Sequence, residues 1–324
     1  MRVRAPLPSS DDDFWLTDGG QETTLIFGDG FALPDFAAFT LLASDDGRQA
    51  LERYCRSYIA IARRHGAGLI LETPTWRASA DWGRRLGYDA AGLRSANAAA
   101  VAFLIALRDA EPPLTAPFLI SGNLGPRGDG YRADASISAD QAQQYHAEQI
   151  GTLHEAGVDL ITAMTITTVE EAIGIVRASM QVEAPVVISF TVELDGSLPS
   201  GQSLPEAIAD LDAATDAAAA HVMVNCAHPD HLKAALGTGH PSLARLRGLR
   251  VNASRRSHAE LDDADDLDDG DPAELAALHV GLLAAEPRLV ALGGCCGTDA
   301  RHVEAIAATC APLVRARASA VGGR

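Results

Sequence analysis

The chain has 324 residues, 47% of them hydrophobic and 21% charged, and 43 acidic side chains outnumber 26 Lys and Arg to give a formal net charge of −17. That length suits one large α/β domain, and the apolar share excludes global disorder. The acidic balance argues against a nucleic-acid backbone or an anionic membrane as partner, because both are held by clustered Lys and Arg.

The opening MRVRAPLPSSDDDFW has two arginines with no apolar run behind them. It reads as a tail over 1–13 and not as a signal peptide. Apolar runs then alternate with Ala-rich stretches. The runs are FWLTD from Phe14, AGLILE ending at Glu72, FLISGN from Phe118 and VDLITAMT from Val158. They continue with PVVISFTV from Pro185, HVMVNC from His221, LRVNAS from Leu249 and RLVALGG from Arg288. Most are nearly continuous, as expected of parallel strands buried on both faces. The intervening stretches carry helical stripes, for example Leu51, Tyr54, Cys55 and Tyr58, or Val303, Ile306, Ala307 and Cys310.

Eight strands alternating with helices predict a single (β/α)8 TIM-type barrel over 14–318, with a short tail over 319–324. A doubly wound open sheet is the alternative, weakened because no strand leads into G-x-G-x-x-G. The apolar stretches are short and interrupted, so no membrane span is expected. The acidic run Asp262–Asp271 falls after the seventh strand and is expected to be a solvated loop leading into a helix at Pro272; the functional alternative is a lip that attracts a cationic ligand.

In a barrel the reacting groups gather at the C-terminal strand ends. There the sequence places Asp18, Glu72, Asn123, Thr165, Thr191, Asn225 with Cys226, Asn252, and Cys295 with Cys296. Five cysteines, an odd number without framework spacing, fit a reducing cytoplasm. Cys55 and Cys310 lie on apolar stripes and read as core. Cys295 and Cys296 are flanked by Gly293, Gly294 and Gly297, which permit the bend that would turn both sulfurs to one side. With Cys226 they would make a three-thiolate zinc site with one open position. A strained redox disulfide, an inert buried pair and a phosphate-binding strand end remain open on spacing alone.

Longer segments narrow the choice. DGGQETTL (18–25), ETPTWRAS (72–79), GNLGPRGD (122–129), SFTVELDGSLPSGQSL (189–204), VNCAHP (224–229) and GGCCGTDARH (293–302) occur in that order. Together they resemble the homocysteine S-methyltransferase family across nearly the whole chain. The pairing of N-C-x-x-P with G-G-C-C-G-T is the specific part. The resemblance implies a zinc barrel that methylates the thiol of homocysteine to give methionine, with Cys226, Cys295 and Cys296 as ligands to Zn2+. It also implies substrate contacts from Asp18, Gly19, Gly20, Glu72, Thr165 and Asn252.

Relatives that use methylcobalamin or folate carry extra domains that this length is not expected to hold, so by analogy a sulfonium donor, S-methylmethionine or S-adenosylmethionine, is expected, with a betaine-type donor as an alternative. Alternatives are a zinc- and thiol-binding relative without transferase activity, or another thiol or selenol as acceptor.

The sequence departs from the family in places. Met164-Thr165 stands where relatives have a Glu-Thr pair that helps bind the amino group of homocysteine. Arg250-Val251-Asn252 replaces a Tyr-Pro-Asn-type turn, and Ala300 replaces a proline. Trp76 and Trp82 suggest either packing or a cation-π wall for a sulfonium. His228, His231 and His302 read as capping or structural residues. The single lysine, Lys233, is poorly placed for Schiff-base chemistry. The expected partners are small molecules; the sequence does not give the oligomeric state.

Overall fold

The computed structural model describes residues 7–8, 14–133, 137–264 and 266–322. Most of the predicted N-terminal tail, the final two residues and Asp265 of the acidic run lie outside the described residues. Eight parallel strands close a barrel in chain order. They are β1 (Trp15–Thr17), β2 (Gly68–Glu72), β3 (Phe118–Leu124), β4 (Leu160–Ile166), β5 (Val186–Phe190), β6 (His221–Ala227), β7 (Leu246–Val251) and β8 (Ala291–Gly294). Each predicted run overlaps one of them. β7 begins three residues before the predicted Leu249, because Arg247 and Gly248 interrupt the apolar pattern there. A Cβ on Gly248 would lie 2.6 Å from Met223 Cε and 3.1 Å from Ala291 O, so glycine lets the strand pass close over that side chain.

The barrel interior is built in layers by the two-residue period of its strands. Trp15, Ile70, Leu119, Leu160, Val187, Met223 and Ala291 form an apolar plug. Two residues further along the same strands stand Thr17, Glu72, Ser121, Thr162, Ser189, Asn225 and Gly293, with Arg250 on β7. The interior therefore turns from apolar to polar towards the C-terminal strand ends. Outside the sheet, a continuous core joins strands to helices and includes Cys55 and Cys310.

The helices start where side chains satisfy their free N–H groups. Ser44 accepts from Gly47 N at the helix Asp45–His65, and Ser138 forms a capping box with Gln141 at Ala139–Ala156. The last helix, Ala300–Gly322, runs past the predicted boundary at residue 318. The helix Ala90–Ala110 is long and apolar enough to cross a membrane by length and composition, contrary to the expectation of only short apolar stretches. Here it lies outside the barrel and buries a face of Leu93, Asn97, Ala100, Val101, Leu104 and Leu107.

Candidate metal centre and substrate cavity

Two strand ends, those of β6 and β8, bring Cys226, Cys295 and Cys296 together. Cys226 Sγ lies 3.0 Å from Cys295 Sγ and 3.5 Å from Cys296 Sγ, and all three sulfurs fall within 4.8 Å of one another. Ligands about 2.3 Å from a tetrahedral zinc sit about 3.8 Å apart, somewhat more than the two separations from Cys226 and less than the limit of 4.8 Å on all three. All five cysteines are free thiols, so Cys295 and Cys296 form no disulfide.

Backbone irregularity aims the thiols. Cys226 adopts φ 57° within β6, where the register to β7 shifts between Asn225 and Ala227. Thr165 adopts φ 62° at the matching shift in β4. Left-handed φ at non-glycine residues costs about 1–3 kcal/mol each and persists only where the surroundings enforce it. Asn225 supplies that enforcement. Its Oδ1 accepts from Thr165 N at 2.8 Å and from Ser189 Oγ at 2.7 Å, while its Nδ2 donates to Thr165 Oγ1 at 2.8 Å.

At β8 the glycines act differently from the expected bend. Gly293 and Gly294 continue the strand and are required by close approach, since a Cβ on either would sit 1.9 Å from a threonine Oγ1. Only Gly297 takes a positive φ, 78°. The turn is fixed by Cys295 N donating to Val251 O (2.7 Å) and Thr298 Oγ1 donating to Cys295 O (2.7 Å).

The thiols are electrically unequal. Hydrogen bonds from Cys226 and Cys296 hold Cys295 well below the usual thiol range despite burial, with Arg250 and Asn225 contributing. Cys226 is correspondingly pushed up by its hydrogen bonds to the other two and by burial. Tyr131 Oη lies 3.4 Å from Cys226 Sγ and 3.6 Å from Cys296 Sγ, and burial followed by the nearby sulfurs keeps it protonated. The Tyr131 ring stacks on His258 at 4.2 Å, and His258 Nε2 lies 2.9 Å from Cys226 O. Sequence reasoning missed both residues, because neither sits at a strand end or in a distinctive motif.

The sulfurs open into a cavity of about 620 Å³. Of the predicted substrate contacts, Asp18, Gly19, Gly20, Glu72 and Thr165 line it. Asn252 is buried without bordering it, and its N donates to Ala227 O at 3.0 Å. Arg250 reaches the cavity from β7, between the two cysteine-bearing strands. It forms a short ion pair with Asp18, lies 3.8 Å from Glu72, and donates to Gly19 O and Gly294 O at 3.1 Å each. Burial raises the Glu72 carboxyl to about 7, outweighing the opposing pull of Arg250. An arginine inside an apolar strand was a legible signal for this feature.

Two further expectations change. Trp76 and Trp82 do form a cation-π pair, but Arg77 fills it, with its guanidinium 3.9 and 3.6 Å from the two rings. The acidic run is not merely a solvated loop, since Asp262, Asp266, Leu267 and Asp268 line the cavity. His228 caps the helix Pro229–Leu236, and His302 bonds Asp269 O at 2.8 Å, tying the last helix to the acidic segment. Both are structural, as expected.

Comparison with known proteins agrees with this geometry. The homocysteine S-methyltransferase family model matches residues 15–310. The fold is similar to the homocysteine methyltransferase MmuM from Escherichia coli in its metallated and oxidized forms, each with TM-score 0.74, 23% identity, and coverage of 92% of this chain and 96% of that one. The apo form gives a TM-score of 0.67 at 22% identity with the same coverage. A search of curated proteins finds no match. With the family pattern spanning nearly the entire barrel and its three cysteines converging at the strand ends, the chain belongs to the homocysteine S-methyltransferase family.

Proposed function

We propose that the protein is a zinc-dependent S-methyltransferase that moves a methyl group from a sulfonium donor, S-methylmethionine or S-adenosylmethionine, to homocysteine. The observation that carries this reading is the convergence of Cys226, Cys295 and Cys296 on one point at the floor of the cavity. Three thiolates leave a fourth tetrahedral position for the acceptor sulfur. Zinc held by Cys226, Cys295 and Cys296 would supply the Lewis acidity to keep a thiol, with an ordinary pKa near 8.5, deprotonated at neutral pH.

The chain's own residues orient and shield the reactants. Tyr131 covers one side of the sulfur cluster, and Asn225 holds the strand ends that carry it. The acceptor sulfur attacks the donor methyl carbon, the carbon–sulfonium bond breaks, and its electron pair leaves on a neutral thioether. No general acid is required for that leaving group. Eight carboxylates line the cavity with three arginines, which favours a cationic donor. Free thiols in the cluster suit a reducing compartment such as the cytoplasm.

The test is methionine formation by reduced, zinc-loaded protein from homocysteine and each donor. Turnover that stops on chelation and returns with zinc supports the reading. Transfer that persists at full rate in fully metal-free protein would sink it.

A further inference from the structure

A groove of about 490 Å³ lies on the outside of the barrel, among the helices Ala80–Arg85, Ala90–Ala110 and Ala139–Ala156. It shares no lining residue with the cavity above the cysteines. Ala78, Tyr88 and Leu93 give it apolar walls. The charged residues on its border are Arg84, Arg94, Asp89 and Glu148, two of each sign. In a chain of net charge −17 that balance is local, and it suits a ligand carrying both charges where the main cavity suits a cation.

One buried polar atom on this border has no hydrogen-bond partner among the described residues, the Oε1 of Gln149. Gln149 is 5% exposed. Its Nε2 donates to Thr75 O at 2.9 Å and to Asn97 Oδ1 at 3.2 Å, which fixes the orientation of the amide and leaves its oxygen as an open acceptor. A buried acceptor in this state is costly until a donor meets it. An ammonium group is such a donor, a carboxylate matches the arginines on the border, and the apolar walls take an uncharged side chain.

The groove and the cavity lie on two sides of one stretch of chain. Trp76 and Arg77 border the cavity, while Ala78, Ser79 and Ala80 border the groove. Groove residues hold that stretch directly: Gln149 bonds Thr75 O, Asn97 Nδ2 donates to Ala78 O at 2.9 Å, and Tyr145 Oη donates to Ser79 Oγ at 3.0 Å. We propose that the groove is a second binding site, for a free amino acid with an apolar side chain, and that its occupancy is transmitted to the cavity through residues 75–79. Methionine, the product under the proposed function, belongs to this class. The site itself needs neither the metal nor the methyl donor.

The experiment is equilibrium dialysis of norleucine, which has no sulfur, against reduced, metal-free protein, with tryptophan emission followed in parallel. Its outcome is therefore independent of whether the protein transfers methyl groups. Norleucine is expected to bind and to shift the emission, because Trp76 and Trp82 flank the shared stretch. Hexanoate (no amino group) and pentylamine (no carboxylate) should bind about tenfold more weakly, the usual effect of losing a hydrogen bond to a charged group. Ala80→Phe, at an exposed position on the groove border, should abolish norleucine binding. Arg94→Met, also exposed, should weaken norleucine while leaving pentylamine nearly unchanged, a selectivity that damage to the fold would not produce. No binding, or equal binding of all three compounds, would overturn the proposal whatever the variants do. Norleucine binding that both variants leave intact would place the ligand elsewhere and overturn it too, and binding with unchanged emission would overturn the transmission to the cavity.

Discussion

Glu72 shows how one buried side chain ties stability to pH. Its carboxyl titrates at about 7 in the folded protein instead of 4.5, because burial outweighs the attraction of Arg250 and Asp18 adds to the rise. A carboxyl raised by folding contributes fully below about pH 4.5, and that contribution is lost as pH rises to about 7. In reduced, metal-free protein, Glu72→Gln should therefore gain on the parent between pH 4.5 and 7 by on the order of 3 kcal/mol, with no further change above. Urea melts of both proteins at pH 5 and pH 8 measure this, and parallel melts at the two pH values would contradict it. Cys226→Ser should sharply lower zinc content per chain and abolish transfer; a variant that retains both would remove Cys226 from the ligand set. Asn225→Ala removes the bonds that hold Thr165 and Cys226 in left-handed conformations and leaves Thr165 N buried without its acceptor. The expected cost is about 1–3 kcal/mol in stability, with metal affinity about 10- to 100-fold weaker, read by melts and by competition with a zinc chelator.

At the scale of elements, the turn after β8 carries two of the three thiols and is wedged against the end of β1. A Cβ on Gly20 would lie 2.4 Å from the carbonyl oxygen of Cys295, which is backbone and cannot rotate away. Gly20→Ala should displace that turn, cost about 1–3 kcal/mol and reduce metal occupancy; unchanged zinc content would show that the turn yields without moving its sulfurs. All eight strands were legible because a strand buried on both faces is written as an apolar run. The three thiols were legible because they fall at strand ends within N-C-x-x-P and G-G-C-C-G-T, segments that resemble the family, whereas their spacing alone left other readings open. What escaped was decided by three-dimensional closure. Tyr131 reaches the sulfurs from a long loop, and Arg77 takes the space between two tryptophans that a sequence offers to any cation. The acidic run was read as solvated because nothing in a string of aspartates says that the chain folds back over the cavity.

The whole molecule is an acidic body whose carboxylates continue into its cavity. Exposed charges act over about 10 Å at 0.1 M salt and less at higher salt. A cationic donor should therefore show a KM that rises several-fold as ionic strength is raised from about 0.02 to 0.3 M, while the KM of zwitterionic homocysteine changes little. Steady-state kinetics with each substrate varied separately tests this, and equal salt dependence for both would mean that the field does not steer the donor.

Although β8 closes the barrel against β1, the three-cysteine cluster joins β8 to β6, so it is complete only once the last strand is in place. A chain emerging from the ribosome would have displayed seven strands and a single candidate thiol, Cys226, before Cys295 and Cys296 appeared. Under the proposed function, metal capture would thus be a late event in the life of the polypeptide, and an ion held by the three cysteines would act as a latch between the sixth strand and the eighth. Its affinity would add directly to the stability of the closed form, so metal supply would set how long the barrel stays shut as well as whether it turns over.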